Sequence, residues 1–250
     1  KVIEEIKDGT YITTAIGPDI LSRIAPLIAK GLKERAETND ENVYVIACEN
    51  QISATELLKG YIEKELVPED IEKINGRVHY FNSAVDRIVP AQNNENPLDV
   101  LVEPYDECVV ETTDNIPAVE GMTKVTDLAP YIERKLFTVN TGHAVTAYYG
   151  YLEGKTTIDE ALNDAQVYDR VKATVDETGA YLVKRYGLDE NEHQQYIEKI
   201  LSRFQNKHLN DAVTRVGRSP VRKLGPEDRL IRPMTEAAKL GLSYENLAPA

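Results

Sequence analysis

Apolar and polar positions are patterned differently in the two halves of this 250-residue chain, and the change falls near residue 120. "TYITTAIG" (10–17) is a β-branched run broken by Gly17-Pro18, and "PDILSRIAPLIAKGLKER" (18–35) follows it with helical periodicity. Proline suits a first helical turn, where its missing N–H costs nothing. "NVYVIACEN" (42–50) predicts a second strand, running into Glu49 and Asn50, and "ISATELLKGYIEKEL" (52–66) predicts a second helix. "RVHYFNSAVDRIVP" (77–90), "LDVLVEP" (98–104) and "ECVVE" (107–111) predict further strands. Continuously apolar strands separated by helices predict a parallel, doubly wound sheet. Such sheets bind ligands beyond the carboxyl ends of their strands, which makes Gly17, Glu49-Asn50 and Asp86-Arg87 positions of interest.

After "NIPAVEGM" (115–122) no strand pattern remains, and helical periods cover 124–137, 139–152, 157–186, 189–205 and 226–240. Thr157 with Glu160 predicts a capping box, and Gly241 a helix stop. The expected organisation is an α/β part over residues 1–120 and an all-helical part over 121–250, with "AQNNENP" (91–97) a polar surface loop.

Charge narrows the partners. A net charge of -13 argues against nucleic acid or an anionic membrane surface, while a local basic patch could still hold a small anion. No apolar run approaches the roughly 20 residues that span a bilayer. The opening "KVIEEIKDGT" has no signal-peptide hydrophobic region, so the cytoplasm is the expected compartment. Cys48 and Cys108 follow no disulfide or zinc spacing.

The chemistry concentrates in "KLFTVNTGH" (135–143). On an α-helix, at about 100° per residue, Asn140 lies roughly 140° and His143 roughly 80° from Lys135, a wide arc that could still open onto one cleft. A lysine in a dry cleft loses solvation of its charged form and can act as a general base. Asparagine and histidine can donate hydrogen bonds to an oxygen that gains negative charge. Base and cradle together suit proton removal from a secondary alcohol while hydride leaves its carbon. A solvated lysine beside satisfied polar helix positions is the other reading of the same residues.

The spacing K-x-x-x-x-N-x-x-H, here Lys135, Asn140 and His143, resembles the signature of the polyol-specific long-chain dehydrogenases. "TTAIGPDILSRIAPLIAKGL" (13–32), "ACEN" (47–50), "SAVDRIVP" (83–90), "ERKLFTVNTGHAVTAYYGYLEG" (133–154) and "RVGRSPVRKL" (215–224) are similar to that family in the same order. The resemblance implies a partial Rossmann-type sheet domain followed by an all-helical substrate domain. It implies NAD as cofactor, no catalytic metal, and interconversion of D-mannitol 1-phosphate and D-fructose 6-phosphate by a monomer. It also implies that Lys135 is the base, that Asn140 and His143 orient the reacting oxygen, and that Asn50 and Asp86 belong to the active site, with Thr14, Gly17 and Asn50 close to the cofactor. Family members open with a G-x-G-x-x-G turn that these residues lack, so the resemblance implies an internal portion of a longer enzyme, short of that turn and of the last helices.

"RVGRSPVRK" (215–223) carries Arg215, Arg218, Arg222 and Lys223 without an acidic residue. Arginine forks match phosphate, so these are the expected phosphate ligands, Arg218 and Arg222 first. A solvated basic turn is the alternative. Other readings of the whole chain are another polyol dehydrogenase, a hexuronate reductase, or a non-catalytic sugar-phosphate binder.

Overall fold

A computed structural model describes residues 1–90, 92–96, 98–113 and 116–250. The polar-loop expectation for 91–97 therefore lies partly outside the described residues. The chain forms two compact units, each built from two segments: 1–86 with 106–128, and 87–105 with 129–250.

The first unit contains helix α1 (Val2–Asp8), β1 (Tyr11–Thr14), α2 (Leu21–Thr38), β2 (Val43–Ala47), α3 (Ala54–Lys64), α4 (Pro68–Ile74), β3 (Val78–Tyr80), β4 (Ser83–Asp86), β5 (Glu107–Glu111) and β6 (Met122–Val125). Strands β1, β2 and β3 form a parallel sheet in that order. β2 explains why its sequence is continuously apolar: all five residues are buried. Val43, Val45 and Ala47 join Leu21, Leu32, Leu58 and Ile62 of the covering helices, while Tyr44 and Ile46 join Phe81 and Val110 in a second cluster.

Three strand expectations need correction. β4 pairs antiparallel with β5, and β5 pairs parallel with β6, in a separate three-stranded sheet, so the sheet structure is not wholly parallel. "LDVLVEP" is not a strand: Leu98, Val100 and Leu101 are 86%, 58% and 64% exposed, and no strand pairs with them among the described residues. β6 was not expected, because four residues of partial exposure are too short to show a period of two.

The second unit is helical apart from the 87–105 segment: α5 (Ala129–Arg134), a π-helical turn (Lys135–Asn140), α6 (Thr141–Leu152), α7 (Ile158–Leu162), α8 (Ala165–Tyr186), α9 (Glu190–Phe204), α10 (Val213–Val216), α11 (Pro220–Lys223) and α12 (Ile231–Lys239). Val145, Ala147, Val171, Val175, Ile197, Leu201 and Phe204 form its main core. The expected capping box is present, with Thr157 accepting from the Glu160 N–H while the Glu160 side chain accepts from the Thr157 N–H. The single helical period 157–186 is two helices, because Asp164 accepts from the N–H groups of Gln166 and Val167 and starts α8 anew. Gly241, at φ +68°, follows α12 as a left-handed stop.

The division near residue 120 differs from the compact units at two points. Residues 121–128 stay with the sheets, since β6 pairs there, and 87–105 belongs with the helices. Glu103 fixes that segment: its buried carboxylate accepts from Arg203 Nε at 2.9 Å, Arg203 Nη2 at 2.6 Å and the Ile88 N–H at 2.5 Å. The Tyr105 ring lies 3.9 Å from the Arg203 guanidinium carbon. Breaking a buried ion pair by removing one partner costs about 3–5 kcal/mol. Arg203→Ala should therefore lower the unfolding free energy by that amount in denaturant titration, and a change under about 1 kcal/mol would contradict the assignment. Among the described residues no helix is long and apolar enough to cross a membrane.

Candidate active site

Lys135 and Asn140 bound the π-helical turn, whose defining bond runs from the Thr141 N–H to the Leu136 carbonyl, five residues back. An i→i+5 turn takes in one more residue than an α-helical turn. Lys135 and Asn140 are therefore stacked as residues i and i+4 stack on an α-helix, about 40° apart. His143, three α-helical residues beyond Asn140, turns back by about 60°. The three side chains share a stripe about 60° wide, where a regular helix would have spread them over an arc of about 140°. Lys135, Leu136, Asn140 and His143 are half-buried, whereas Phe137, Thr138, Val139, Thr141, Gly142 and Ala144 are buried.

Neighbouring helices hold the turn. The Thr178 hydroxyl of α8 donates to the Phe137 carbonyl at 2.7 Å. The Thr141 hydroxyl lies 2.6 Å from the Arg229 carbonyl and 3.1 Å from that of Leu136. Gly142 lets α6 close on α8, since a Cβ there would stand 3.1 Å from Val175 Cγ1.

His143 is fixed on two sides. Its ring stacks on Phe204 of α9, with centroids 4.6 Å apart and planes 14° from parallel. Its Nε2 lies 3.1 Å from Oδ2 of Asp211, which also accepts two hydrogen bonds from Arg215, Nε to Oδ1 and Nη2 to Oδ2, both at 2.5 Å. Burial pushes the Asp211 carboxyl up, but the hydrogen bonds from His143 and Arg215 outweigh it and hold it below the ordinary aspartate value.

The four cations of 215–223 have different surroundings. Arg215 is taken by Asp211. Arg222 is largely exposed and pairs with Asp228 at 3.1 Å, and Asp228 also binds Arg229 Nε at 2.8 Å. Lys223 is 4% exposed, and its ammonium donates to the carbonyls of Val216 and Arg218. Burial first, then Arg229, Arg222 and Arg218, push its pKa down to about 8. Arg218 is exposed, with no ion-pair partner among the described residues. The stretch contains no acid, as its sequence says, yet acids just outside it, Asp211 and Asp228, engage two of its arginines.

In the sheet unit, the carboxyl ends of β1 and β2 are tied by Glu49. Its carboxylate accepts from the Thr14 hydroxyl at 2.8 Å, the Ile16 N–H at 3.1 Å and the Gly17 N–H at 2.8 Å. Gly17 has φ +93°, and no atom lies within 4 Å of where its Cβ would stand. Asn50 is exposed just beyond β2, and Asp86 is buried at the end of β4. The structure thus gathers Lys135, Asn140 and His143 on one helical face, Thr14 and Gly17 around Glu49, and Asp86 on a different sheet. Asp211 is the residue that motif reading passed over, and its signal was the spacing of four residues from Arg215. Glu49 was noted for its place at a strand end but given no partner.

Comparison with known proteins matches the same halves. A model of the mannitol dehydrogenase Rossmann domain matches residues 1–121, and one of the mannitol dehydrogenase C-terminal domain matches residues 127–250. Mannitol-1-phosphate 5-dehydrogenase from Exiguobacterium sibiricum is 47% identical over 99% of this chain and 64% of its own length. The enzyme of that name from Bacillus velezensis is 46% identical, over 100% of this chain and 67% of its own length. The chain thus spans about two thirds of the curated relatives it matches. Pseudomonas fluorescens mannitol 2-dehydrogenase, solved as a ternary complex with NAD and D-mannitol, has the same fold at TM-score 0.72 and 17% identity, over 99% of this chain and 59% of that one. Substrate-free D-sorbitol dehydrogenase aligns at TM-score 0.81 and 18% identity, over 99% of this chain and 60% of that one. On the strength of these matches, the chain belongs to the mannitol dehydrogenase family.

Proposed function

We propose that this chain carries out NAD-dependent interconversion of D-mannitol 1-phosphate and D-fructose 6-phosphate, with Lys135 as general base. The observation that carries the reading is the π-helical turn, which puts Lys135, Asn140 and His143 on one half-buried face. The relatives that share 46–50% of its residues and bear the name mannitol-1-phosphate 5-dehydrogenase support the substrate. In the oxidative direction the Lys135 amine takes the hydroxyl proton, while Asn140 and His143 hold the oxygen as it becomes a carbonyl. In reduction the Lys135 ammonium returns that proton.

The residues at the carboxyl end of β1 fit an uncharged part of a dinucleotide, since Gly17 leaves open space there. They do not fit its pyrophosphate, because the turn's N–H groups are already bound to the Glu49 carboxylate. When bound, NAD would supply the hydride acceptor.

Arg218 is the favoured phosphate ligand of the four cations, since Arg215 and Arg222 have acidic partners and Lys223 serves backbone carbonyls. A charged hydrogen bond is worth about 1.5–3 kcal/mol, so Arg218→Ala should lower kcat/KM for mannitol 1-phosphate about ten- to a hundredfold. The loss should fall mainly on KM, with kcat/KM for unphosphorylated mannitol almost unchanged. Equal losses on the two substrates would remove Arg218 from phosphate recognition.

A further inference from the structure

The partner of His143 extends the proposed active site to a residue that neither motif nor charge pattern singled out. Asp211 enters the helical unit by a built path. Asn210 has φ +44°, a left-handed conformation that asparagine tolerates and that redirects the chain at this point. The next residues are then clamped to the 156–158 segment. The Ile158 N–H donates to the Asp211 carbonyl at 2.9 Å, the Val213 N–H to the Thr156 carbonyl at 3.0 Å, and Thr157 and Ala212 form an antiparallel bridge. The Asp211 side chain is 8% exposed and faces two groups, His143 and Arg215.

An ionised carboxylate has no proton to give, and the neighbours of Asp211 hold it in that state. The histidine nitrogen facing it must therefore carry the hydrogen. In a neutral imidazole only one nitrogen is protonated, so the other becomes an acceptor. Asp211 engages this ring at Nε2, which leaves Nδ1 on the opposite side of the contact. Stacking on Phe204 prevents the ring from tilting away, and Arg215 prevents the carboxylate from rotating off it.

We propose that Asp211 is a positioning residue: it takes the hydrogen of His143 Nε2, so that the ring in its neutral form offers Nδ1 as an acceptor to a substrate hydroxyl. The proposal rests on the reading of His143 as an active-site residue and replaces its donor role toward the reacting oxygen with an acceptor role toward a neighbouring hydroxyl. Asn140 remains a donor toward the reacting oxygen, while His143 takes a hydrogen bond from a hydroxyl of the polyol. Arg215 then serves the site through Asp211 and not by touching phosphate. Polyols, which carry a hydroxyl on every carbon, offer such a donor beside the carbon being oxidised.

The test is a double-mutant cycle in the natural protein at its full length, with kcat and KM measured for mannitol 1-phosphate. The variants are Asp211→Asn, His143→Ala and the pair. Losing a hydrogen bond to a charged group corresponds to about ten- to a hundredfold, so Asp211→Asn should lower kcat/KM by that factor in the native background. In the His143→Ala background the same change should cost less than about twofold, because the residue it acts through is gone. A merely structural aspartate would cost the same in both backgrounds, and that result overturns the proposal, as does near-native activity of a folded Asp211→Asn. Normal activity of His143→Ala would overturn the proposal together with the reading of the site beneath it. An impaired His143→Ala with an undiminished Asp211→Asn effect would overturn the positioning role alone.

Discussion

Lys135→Ala should lower kcat by about 10²–10⁴, the range over which a positioned general base contributes, with the fold unchanged by circular dichroism. The lysine sits half-buried beside the packed residues Phe137, Thr138 and Val139, so its truncation to alanine opens space at that face. A small primary amine added to the buffer should restore part of the activity, since it can occupy that space and accept the same proton. Rescue should grow with the fraction of free amine and fail with tertiary amines too large to enter. Near-native turnover in a folded Lys135→Ala protein would remove this residue from the chemistry.

Asn140→Ala should lower kcat by about 10²–10³, the usual cost of deleting one hydrogen-bond donor to a developing oxyanion. Asn140 ends the π-helical turn and begins α6, and its side chain gives α6 no cap hydrogen bond. Its amide is therefore not spent on the helix it starts. The substitution should leave the melting temperature within about a degree or two, since alanine is the better helix former. A large loss of stability with kcat unchanged would mean that Asn140 supports packing and not catalysis.

Much of the fold could be read in the sequence where a pattern was long enough. β2 announced itself as five buried apolar residues, and α8 and α9 by their sustained helical periods. α1 and α4, at seven residues each, and β6, at four, fell below the length at which periodicity decides anything. "LDVLVEP" misled because apolar content alone does not make a strand. Its leucines stay exposed, and its glutamate is the buried member, held by Arg203.

The candidate site could be read as a set of residues and not as a geometry. Spacings of five and three residues between Lys135, Asn140 and His143 do not superimpose on an α-helix, and that misfit was itself the trace of the π-helical turn. The partners of 215–223 lay hidden for another reason. Asp211 and Asp228 flank the basic stretch, and a count that stops at its ends finds only cations. Distances supplied what composition could not: two arginines are engaged, the lysine is buried in carbonyl contacts, and Arg218 stays exposed.

The most direct test is formation of reduced nicotinamide by the natural full-length protein, with NAD and either D-mannitol 1-phosphate or D-mannitol, beside its Lys135→Ala variant. The account predicts rapid NADH formation with mannitol 1-phosphate, fructose 6-phosphate as the product, little rate with mannitol, and near loss of both in the variant. A folded protein that reduces no NAD with mannitol 1-phosphate, or that does so equally well without Lys135, would contradict it.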